Sequence, residues 1–367
     1  MIVTLLISIG IISLIAVFLA LLMVIADATI GNYGQVQISI NDGAKQLQVQ
    51  GGQPLLKTLN QEGIFIPSAC GGRGSCGLCK VQVVEGGQAY LPTELPWISE
   101  EERKSNVRLS CQYKVKSDIA ILVPEELFLV RQFDTIVESI KDLTHDIKEV
   151  RLKLIDPPQI DAKAGQFIQF VVPEYGDVDE SVYRAYSMAS APSDNKHIEL
   201  EIRLVPNGIC TTYVHNYLKV GDKVTVNGPY GDFYLRDNNH DIICIAGGSG
   251  MAPIKSILLD LAEKGSQRKA TYFFGARSKR DLFLVDEMKQ LESKLAGFTF
   301  VPALSEPSPE DNWEGQIGLI TEVVKRNILD GSNSDAYLCG SPGMIDACIK
   351  VLQELGVPQE RIYYDKF

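Results

Sequence analysis

The chain has 367 residues, of which 45% are hydrophobic and 22% charged, with eight cysteines. That length accommodates two or three domains of ordinary globular composition. A net charge of −11 argues against nucleic-acid binding, which wants a basic surface, and suits acidic solubility or docking to basic partners.

Residues 1–26 carry no charged side chain. As a helix they span about 39 Å at 1.5 Å per residue, enough to cross a hydrocarbon core of about 30 Å. A cleaved secretory signal is the competing reading, and Ala26-Asp27-Ala28 resembles a cleavage site. No Lys or Arg precedes the apolar run, however, and the run is longer than a usual signal core. It is apolar on all faces, unlike a core helix. The first basic residue, Lys45, lies on its C-terminal side, which places the body of the chain in the cytoplasm.

Residues 35–50 predict two short strands around the turn Asn41-Asp42-Gly43, and residues 55–62 a short helix. Then comes the run Cys-Gly-Gly-Arg-Gly-Ser-Cys-Gly-Leu-Cys, which carries Cys70, Cys76 and Cys79; Cys111 follows later. Glycines let backbone amides turn toward sulfurs where a Cβ would obstruct. The plant-type [2Fe–2S] spacing is C-x4-C-x2-C with a distant fourth cysteine, and here the first gap is one residue longer. The alternative, structural zinc, usually shows two separated CxxC pairs. Disulfides suit the pattern less, since Cys210, Cys244, Cys339 and Cys348 are scattered through segments of cytosolic character. Strands at 80–84 and 118–123 complete a small β-grasp ferredoxin-type domain over 34–127.

Residues 128–134 read as a crossover. Short strands at 150–154, 167–172 and 198–203, punctuated by Gly and Pro, predict an antiparallel β-barrel over 128–237. From 238 to 367 the pattern changes. A continuous apolar strand at 242–246 leads through a glycine loop into a helix at 253–264, and strands at 271–274, 298–303 and 336–339 alternate with helices at 284–295, 320–327 and 342–355. That alternation predicts a doubly wound parallel sheet.

Gly247-Gly248-Ser249-Gly250-Met251-Ala252-Pro253 follows a strand and opens a helix. Small residues admit a pyrophosphate to the backbone, and the helix N-terminus supplies partial positive charge. A plain tight turn has the same appearance. Cys339-Gly340-Ser341-Pro342 ends a later strand, so both loops are expected to face one crevice. In the barrel, Arg184-Ala185-Tyr186-Ser187 offers an Arg for a flavin phosphate, a Tyr for the ring and a Ser for its N5 region. A strand with a surface Arg and a core Tyr accounts for the same four residues. Gly208-Ile209-Cys210-Thr211-Thr212 is a second candidate phosphate loop.

The order Arg-x-Tyr-Ser, Gly-x-Cys-Thr-Thr, Gly-Gly-x-Gly-x-Ala-Pro and Cys-Gly-Ser-Pro resembles the ferredoxin–NADP reductase superfamily. With the N-terminal apolar segment, C-x5-C-x2-C, Leu91-Pro92-Thr93-Glu94-Leu95, Gly275-Ala276-Arg277-Ser278-Lys279-Arg280 and Glu310-Asp311-Asn312-Trp313, the chain resembles the F subunits of Na+-translocating NADH:quinone oxidoreductases almost end to end. The resemblance implies a multidomain α+β and α/β chain: a transmembrane helix (1–26), a β-grasp [2Fe–2S] domain, an antiparallel barrel for FAD and a parallel-sheet NAD domain. It implies NADH as substrate, membrane subunits of a quinone reductase as partners, and a single-pass protein of the bacterial inner membrane. It assigns Cys70, Cys76, Cys79 and Cys111 to the cluster. Cofactor binding falls to Arg184, Tyr186, Ser187, Arg203, Gly208, Thr211 and Thr212, to Gly247, Gly248, Ser249, Gly250, Met251, Ala252 and Pro253, to Gly275, Ala276 and Arg277, and to Cys339, Gly340, Ser341 and Phe367. Ser187, Cys339 and Phe367 are the expected catalytic residues, with Phe367 covering the flavin and moving aside for the nicotinamide. Arg277, Lys279 and Arg280 leave NADPH open. A reductase feeding an oxygenase would use the same three domains. A membrane-tethered electron carrier without hydride chemistry would not need the Arg184 and Gly247 motifs.

Overall fold

In the computed structural model, which describes residues 2–30 and 33–367 except the side chains before 7 and from 24 to 32, the backbone divides into two units at residue 129. The first opens with helix α1 (Ile2–Ile30), with no acidic residue in its first turn and no basic one in its last. Every described side chain in it, from 7 to 23, is exposed. Among the described residues, which in α1 include side chains only from 7 to 23, no helix is long and apolar enough to cross a membrane.

The rest of this unit is a five-stranded sheet of order β2-β1-β5-β3-β4, from β1 (Gln35–Ile40), β2 (Lys45–Gln50), β3 (Lys80–Glu85), β4 (Val107–Leu109) and β5 (Ile119–Leu122). β1 and β2 form the expected hairpin, with Asn41 and Asp42 at φ 50° and 55° in its turn. Asn and Asp tolerate that left-handed region better than most residues. β1 pairs with β5 in parallel. Helix α2 (Leu55–Gln61) buries Leu55, Leu56 and Leu59. Helix α3 (Glu100–Lys104) starts at a capping box between Ser99 and Glu102, which satisfies two otherwise orphan amides.

The second unit begins with six antiparallel strands, β6 (Arg131–Asp142), β7 (Ile147–Asp156), β8 (Phe167–Val172), β9 (Val182–Ser187), β10 (His197–Arg203) and β11 (Lys223–Tyr230), in the order β10-β7-β6-β11-β8-β9. A bridge between Met188 and Leu200 joins the two ends into a barrel. Val150, Leu152, Ile168, Phe170, Ile198, Leu200 and Ile202 fill its interior, every second residue of each strand pointing inward. Helix α4 (Ile209–Asn216) adds Cys210, Tyr213 and Val214 to that core.

Next comes a parallel sheet of β12 (Asp241–Gly247), β13 (Ala270–Ala276), β14 (Phe298–Leu304), β15 (Gln316–Ile317), β16 (Ser334–Gly340) and β17 (Ile362–Lys366), with helices α5 (Met251–Glu263), α6 (Val285–Lys294), α7 (Ile320–Asn327) and α8 (Pro342–Glu354). The order is β15-β14-β13-β12-β16-β17. From Ile242 to Ala246 β12 is apolar because it is covered on both faces: Ile242, Cys244 and Ala246 enter one core layer, Ile243 and Ile245 the other. The chain leaves β12 toward β13 but returns to its other side as β16. The switch point of the sheet therefore lies between the carboxyl ends of β12 and β16.

Candidate functional site

The four cysteines of the ferredoxin-type unit come together as two pairs. Cys70 lies beside Cys76, and Cys79 beside Cys111, each pair close enough for one thiol to act on the other. Cys76 holds the Cys70 thiol down to about 3, and Cys79 holds Cys111 down to about 7, while Cys76 and Cys79 are pushed up. Among the described residues no three metal-ligating side chains gather as one ion would need. A single tetrahedral zinc requires such convergence at about 2.3 Å; a two-iron cluster, with a thiolate pair at each end, does not. Two thiol pairs are a donor set that fits the two irons of a [2Fe–2S] cluster.

The surrounding loop fits as well. Gly77 has φ 71°, and a Cβ there would press on the Trp97 ring at 2.9 Å. Ser68 Oγ accepts from the Gly72 amide at 3.0 Å and lies 3.9 Å from Cys70 Sγ, and Gln112 Nε2 lies 3.6 Å from Cys111 Sγ. The segment carrying Cys111 is held by a buried ion pair that the motif around Glu94 did not announce. Arg108 donates to Glu94 at 2.6 and 2.9 Å, and Glu94 also accepts from the amides of Leu91 and Leu109. Burial pushes the Glu94 carboxyl up, but these bonds outweigh it and hold it below the usual range.

In the barrel, Arg184, Tyr186 and Ser187 lie on β9, half-buried. The Arg184 guanidinium donates to the Tyr183 carbonyl at 2.8 Å, a neutral acceptor that leaves its charge free to meet a phosphate. Tyr186 packs edge-on to Phe170 with ring centres 6.3 Å apart, and burial pushes its phenol well up. Gly208 stands at the N-cap of α4 without a side-chain bond, so no side chain of its own closes that helix end. Thr211 Oγ1 is engaged with Val205 and Gly208, and the Thr212 amide donates to the Gly208 carbonyl at 2.8 Å. A cationic side chain, a half-exposed aromatic strand and a helix N-terminus that begins at a glycine suit a flavin dinucleotide.

The two loops of the parallel sheet meet at its switch point. Gly247 ends β12, Gly248 takes φ 57°, and a Cβ on Gly250 would collide with the Cys339 carbonyl. Met251, Ala252 and Pro253 form the first turn of α5, where proline needs no amide partner. Ser341 caps α8 with Pro342 at its start. Gly275 and Ala276 end β13, the next strand. Arg203 pairs with Asp146 at 2.7 Å, and its guanidinium approaches Gly248. Arg277 pairs with Glu306 at 2.8 Å, and Lys279 donates to the Asp311 carbonyl at 2.8 Å. A groove of about 830 Å³ lined by Arg236, Lys264 and Arg268 sits at the amino ends of β12 and β13, the end away from these loops.

Sequence reasoning missed one member of the site. β17 runs beside β16 with Asp365 in register with Cys339, and the Asp365 carboxylate accepts from Ser187 Oγ at 3.5 Å. Ser187, Cys339 and Asp365 thus converge. Burial pushes Asp365 up to about 6, with the Ser187 bond pulling the other way, and burial also raises the Cys339 thiol, helped by Asp365. Phe367 follows with its amide donating to the Gly340 carbonyl at 3.2 Å and its residue 58% exposed, so the ring does not lie buried. The only signal for Asp365 in the sequence was its nearness to the C-terminal Phe.

Three family descriptions match in order: a 2Fe-2S iron-sulfur cluster binding domain at 38–116, an oxidoreductase FAD-binding domain at 134–234 and an oxidoreductase NAD-binding domain at 244–350. The Na(+)-translocating NADH-quinone reductase F subunit of Neisseria meningitidis serogroup B is 40% identical, with 97% of both chains covered. The chain belongs to this family. The Actinobacillus succinogenes F subunit is 39% identical over 98% of both chains. Among solved structures, an Amycolatopsis cytochrome P450 reductase aligns with a TM-score of 0.73 at 29% identity, covering 90% of this chain and 98% of its own. A ferredoxin reductase of carbazole 1,9a-dioxygenase aligns at 0.70 and 28%, covering 91% and 98%. As a member of the NADH-quinone reductase family, the protein is an NADH-oxidising oxidoreductase with FAD and a [2Fe–2S] cluster.

Proposed function

We propose that the chain takes electrons from NADH in the crevice between the Gly247 and Cys339 loops and passes them through FAD to a cluster on Cys70, Cys76, Cys79 and Cys111, and onward to a quinone-reducing, Na+-translocating complex. The observation that carries this reading is the convergence of Ser187 from the flavin strand with Cys339 and Asp365 at the carboxyl edge of the dinucleotide sheet. FAD, when bound, supplies an acceptor for a hydride and a donor of single electrons.

The residues have separate tasks. Arg184 and the start of α4 hold the flavin phosphates, and Tyr186 borders the ring. The glycine loop and the α5 N-terminus hold the NADH pyrophosphate. Ser187 presents its hydroxyl toward the reacting edge, oriented by Asp365, and the small Cys339 side chain leaves room for the nicotinamide. Phe367 covers that face until the nicotinamide displaces it. Glu306 supports NADH over NADPH, because its carboxylate occupies Arg277 and would repel a 2′-phosphate.

Helix α1 anchors the protein in the bacterial inner membrane, with the remaining domains in the cytoplasm. Its described side chains are exposed and, apart from Ser8 and Ser13, apolar, among them Ile12, Leu14, Val17 and Met23, a pattern that water does not favour. The two oxygenase-linked structural neighbours make an oxygenase reductase the second reading; the apolar helix weighs against it. Purification of the full chain from its membrane decides: co-isolation with several polytopic subunits and NADH-dependent quinone reduction is expected. Isolation with a soluble oxygenase would overturn the assignment to the pump. Removal of residues 1–26 is expected to give a water-soluble NADH dehydrogenase that no longer joins the complex, whereas a mature chain beginning near Ala28 outside the membrane would make the segment a signal peptide.

A further inference from the structure

Strand β10 turns Ile198, Leu200 and Ile202 into the barrel core. Alternation leaves Glu199, Glu201 and Arg203 on the opposite face. Its neighbour β7 sets Glu149 directly across from Glu201 and Arg151 across from Glu199. Onto this face helix α5 brings Lys255. Its Nζ lies 2.5 Å from Glu199, 3.4 Å from Glu287 of α6 and 3.9 Å from Glu149. Lys255 and Glu149 are each only 4% exposed. The next residue, Ser256, donates to the Ser190 carbonyl at 2.7 Å, just past the Ser187 end of β9. Helix α5 is therefore fastened to the flavin side of the barrel at two consecutive residues, about one turn beyond the glycine loop.

Such a cluster is a poor way to gain stability. Desolvating an ammonium and several carboxylates offsets most of their attraction, and apolar residues of similar volume often serve as well. Both carboxyl oxygens of Glu201, beside the cluster and fully buried, even lack a hydrogen-bond partner. What the arrangement does supply is direction. A lysine held from three elements admits one placement of α5 over β7 and β10, where a greasy contact would tolerate sliding. The loop that α5 carries is also in contact with the Cys339 backbone, so any slide of α5 moves the dinucleotide loop relative to Ser187.

We propose that Lys255 is a positioning residue for hydride transfer: clamped by Glu199, Glu149 and Glu287, it fixes the first turns of α5, and the glycine loop ahead of them, against the flavin strands. The inference rests on NADH occupying the crevice described above. It separates binding from transfer, because the loop itself stays intact when its seat is loosened.

The test uses the full-length, FAD-loaded protein carrying Lys255→Met together with Glu199→Gln, which removes both charges while keeping their volumes. The limiting rate of flavin reduction at saturating NADH is expected to fall about tenfold to a hundredfold, with NADH affinity close to that of the unaltered chain. In the oxidised protein without NADH, amide hydrogen exchange at residues 248–256 and 188–190 is expected to quicken. Lys255→Arg, which keeps the charge, is expected to restore most of the rate and protection. A pair variant that keeps its flavin and shows normal limiting rate and normal exchange overturns the proposal. So does loss of FAD in both variants, which would make Lys255 a structural residue only. If the unaltered chain is not reduced by NADH at all, the proposed function fails, and the exchange measurement still decides whether Lys255 seats α5.

Discussion

Ser187 and Asp365 stand 178 residues apart in sequence and meet through a 3.5 Å hydrogen bond from the serine hydroxyl to the carboxylate. One belongs to the flavin strand, the other to the last strand of the dinucleotide sheet. Burial pushes the Asp365 carboxyl up to about 6, so it is neutral below that pH and ionised above it. An unfolded chain releases this proton near the ordinary value of 3.8. Folding stability therefore falls as pH rises from about 4 to about 6 and levels off beyond. Asp365→Asn is expected to remove that slope from thermal or urea unfolding of the flavin-free protein, and to remove an inflection near pH 6 from the rate of flavin reduction. Ser187→Ala is expected to slow flavin reduction by about a hundredfold with FAD retained. An unaltered pH profile in Asp365→Asn would take Asp365 out of the reaction.

The pairing of Cys70 with Cys76 and of Cys79 with Cys111 sets a second expectation. Replacing Cys76 by Ala leaves one end of the donor set with a single thiolate. The rhombic signal of the reduced cluster should vanish and the iron content collapse, while NADH still reduces the flavin in the other unit at its usual rate. Zinc in place of iron in anaerobically prepared protein would reverse the reading of the donor set.

The ion pair between Arg108 and Glu94 is almost wholly buried, with side chains 4% and 0% exposed. Arg108 also lies beneath the rings of Tyr90 and Tyr113, at 4.5 and 4.9 Å. Removing one partner strands a buried charge, which costs about 3–5 kcal/mol. Glu94→Ala should therefore destabilise the ferredoxin-type unit by that order and impair retention of the cluster, because Arg108 and Leu109 lead directly into Cys111. Since the Glu94 carboxyl is held below its ordinary range, its contribution is present above about pH 4.5 and lost as pH falls below that. Unfolding followed by cluster absorbance, compared at pH 7 and pH 4, measures both effects.

The features legible in the sequence were contiguous ones. Cysteines within ten residues, and a glycine loop between an apolar strand and a helix, carry their chemistry locally. The hairpin at Asn41-Asp42 was legible for the same reason. Strand β9 was legible only as one of two readings of Arg184–Ser187: Val182 is its single buried residue, so no apolar alternation marks it. β17 is five residues at the chain's end, and its pairing with β16 is what brings Asp365 to Cys339. The seat of Lys255 on Glu199 and Glu149 joins three elements far apart in sequence, and no local pattern encodes it. Arg184 and Tyr186 gained meaning only from the order of the other motifs.

The glycine loop offers the sharpest separation of binding from chemistry. At Gly250 a Cβ would run into the Cys339 carbonyl, and backbone cannot swing aside as a side chain can. Gly250→Val must therefore push the loop off β16, moving the α5 N-terminus away from the pyrophosphate and widening the gap to Ser187. KM for NADH is expected to rise and flavin reduction to slow by about tenfold or more, while FAD and the cluster, held by other elements, stay bound. Gly250→Ala should show the same changes in smaller measure, because its single methyl meets the same oxygen. Rapid-mixing measurement of flavin reduction over a range of NADH concentrations distinguishes the outcomes. If Gly250→Val reduces its flavin at the normal rate and NADH concentration, the nicotinamide binds elsewhere than the crevice between these two loops.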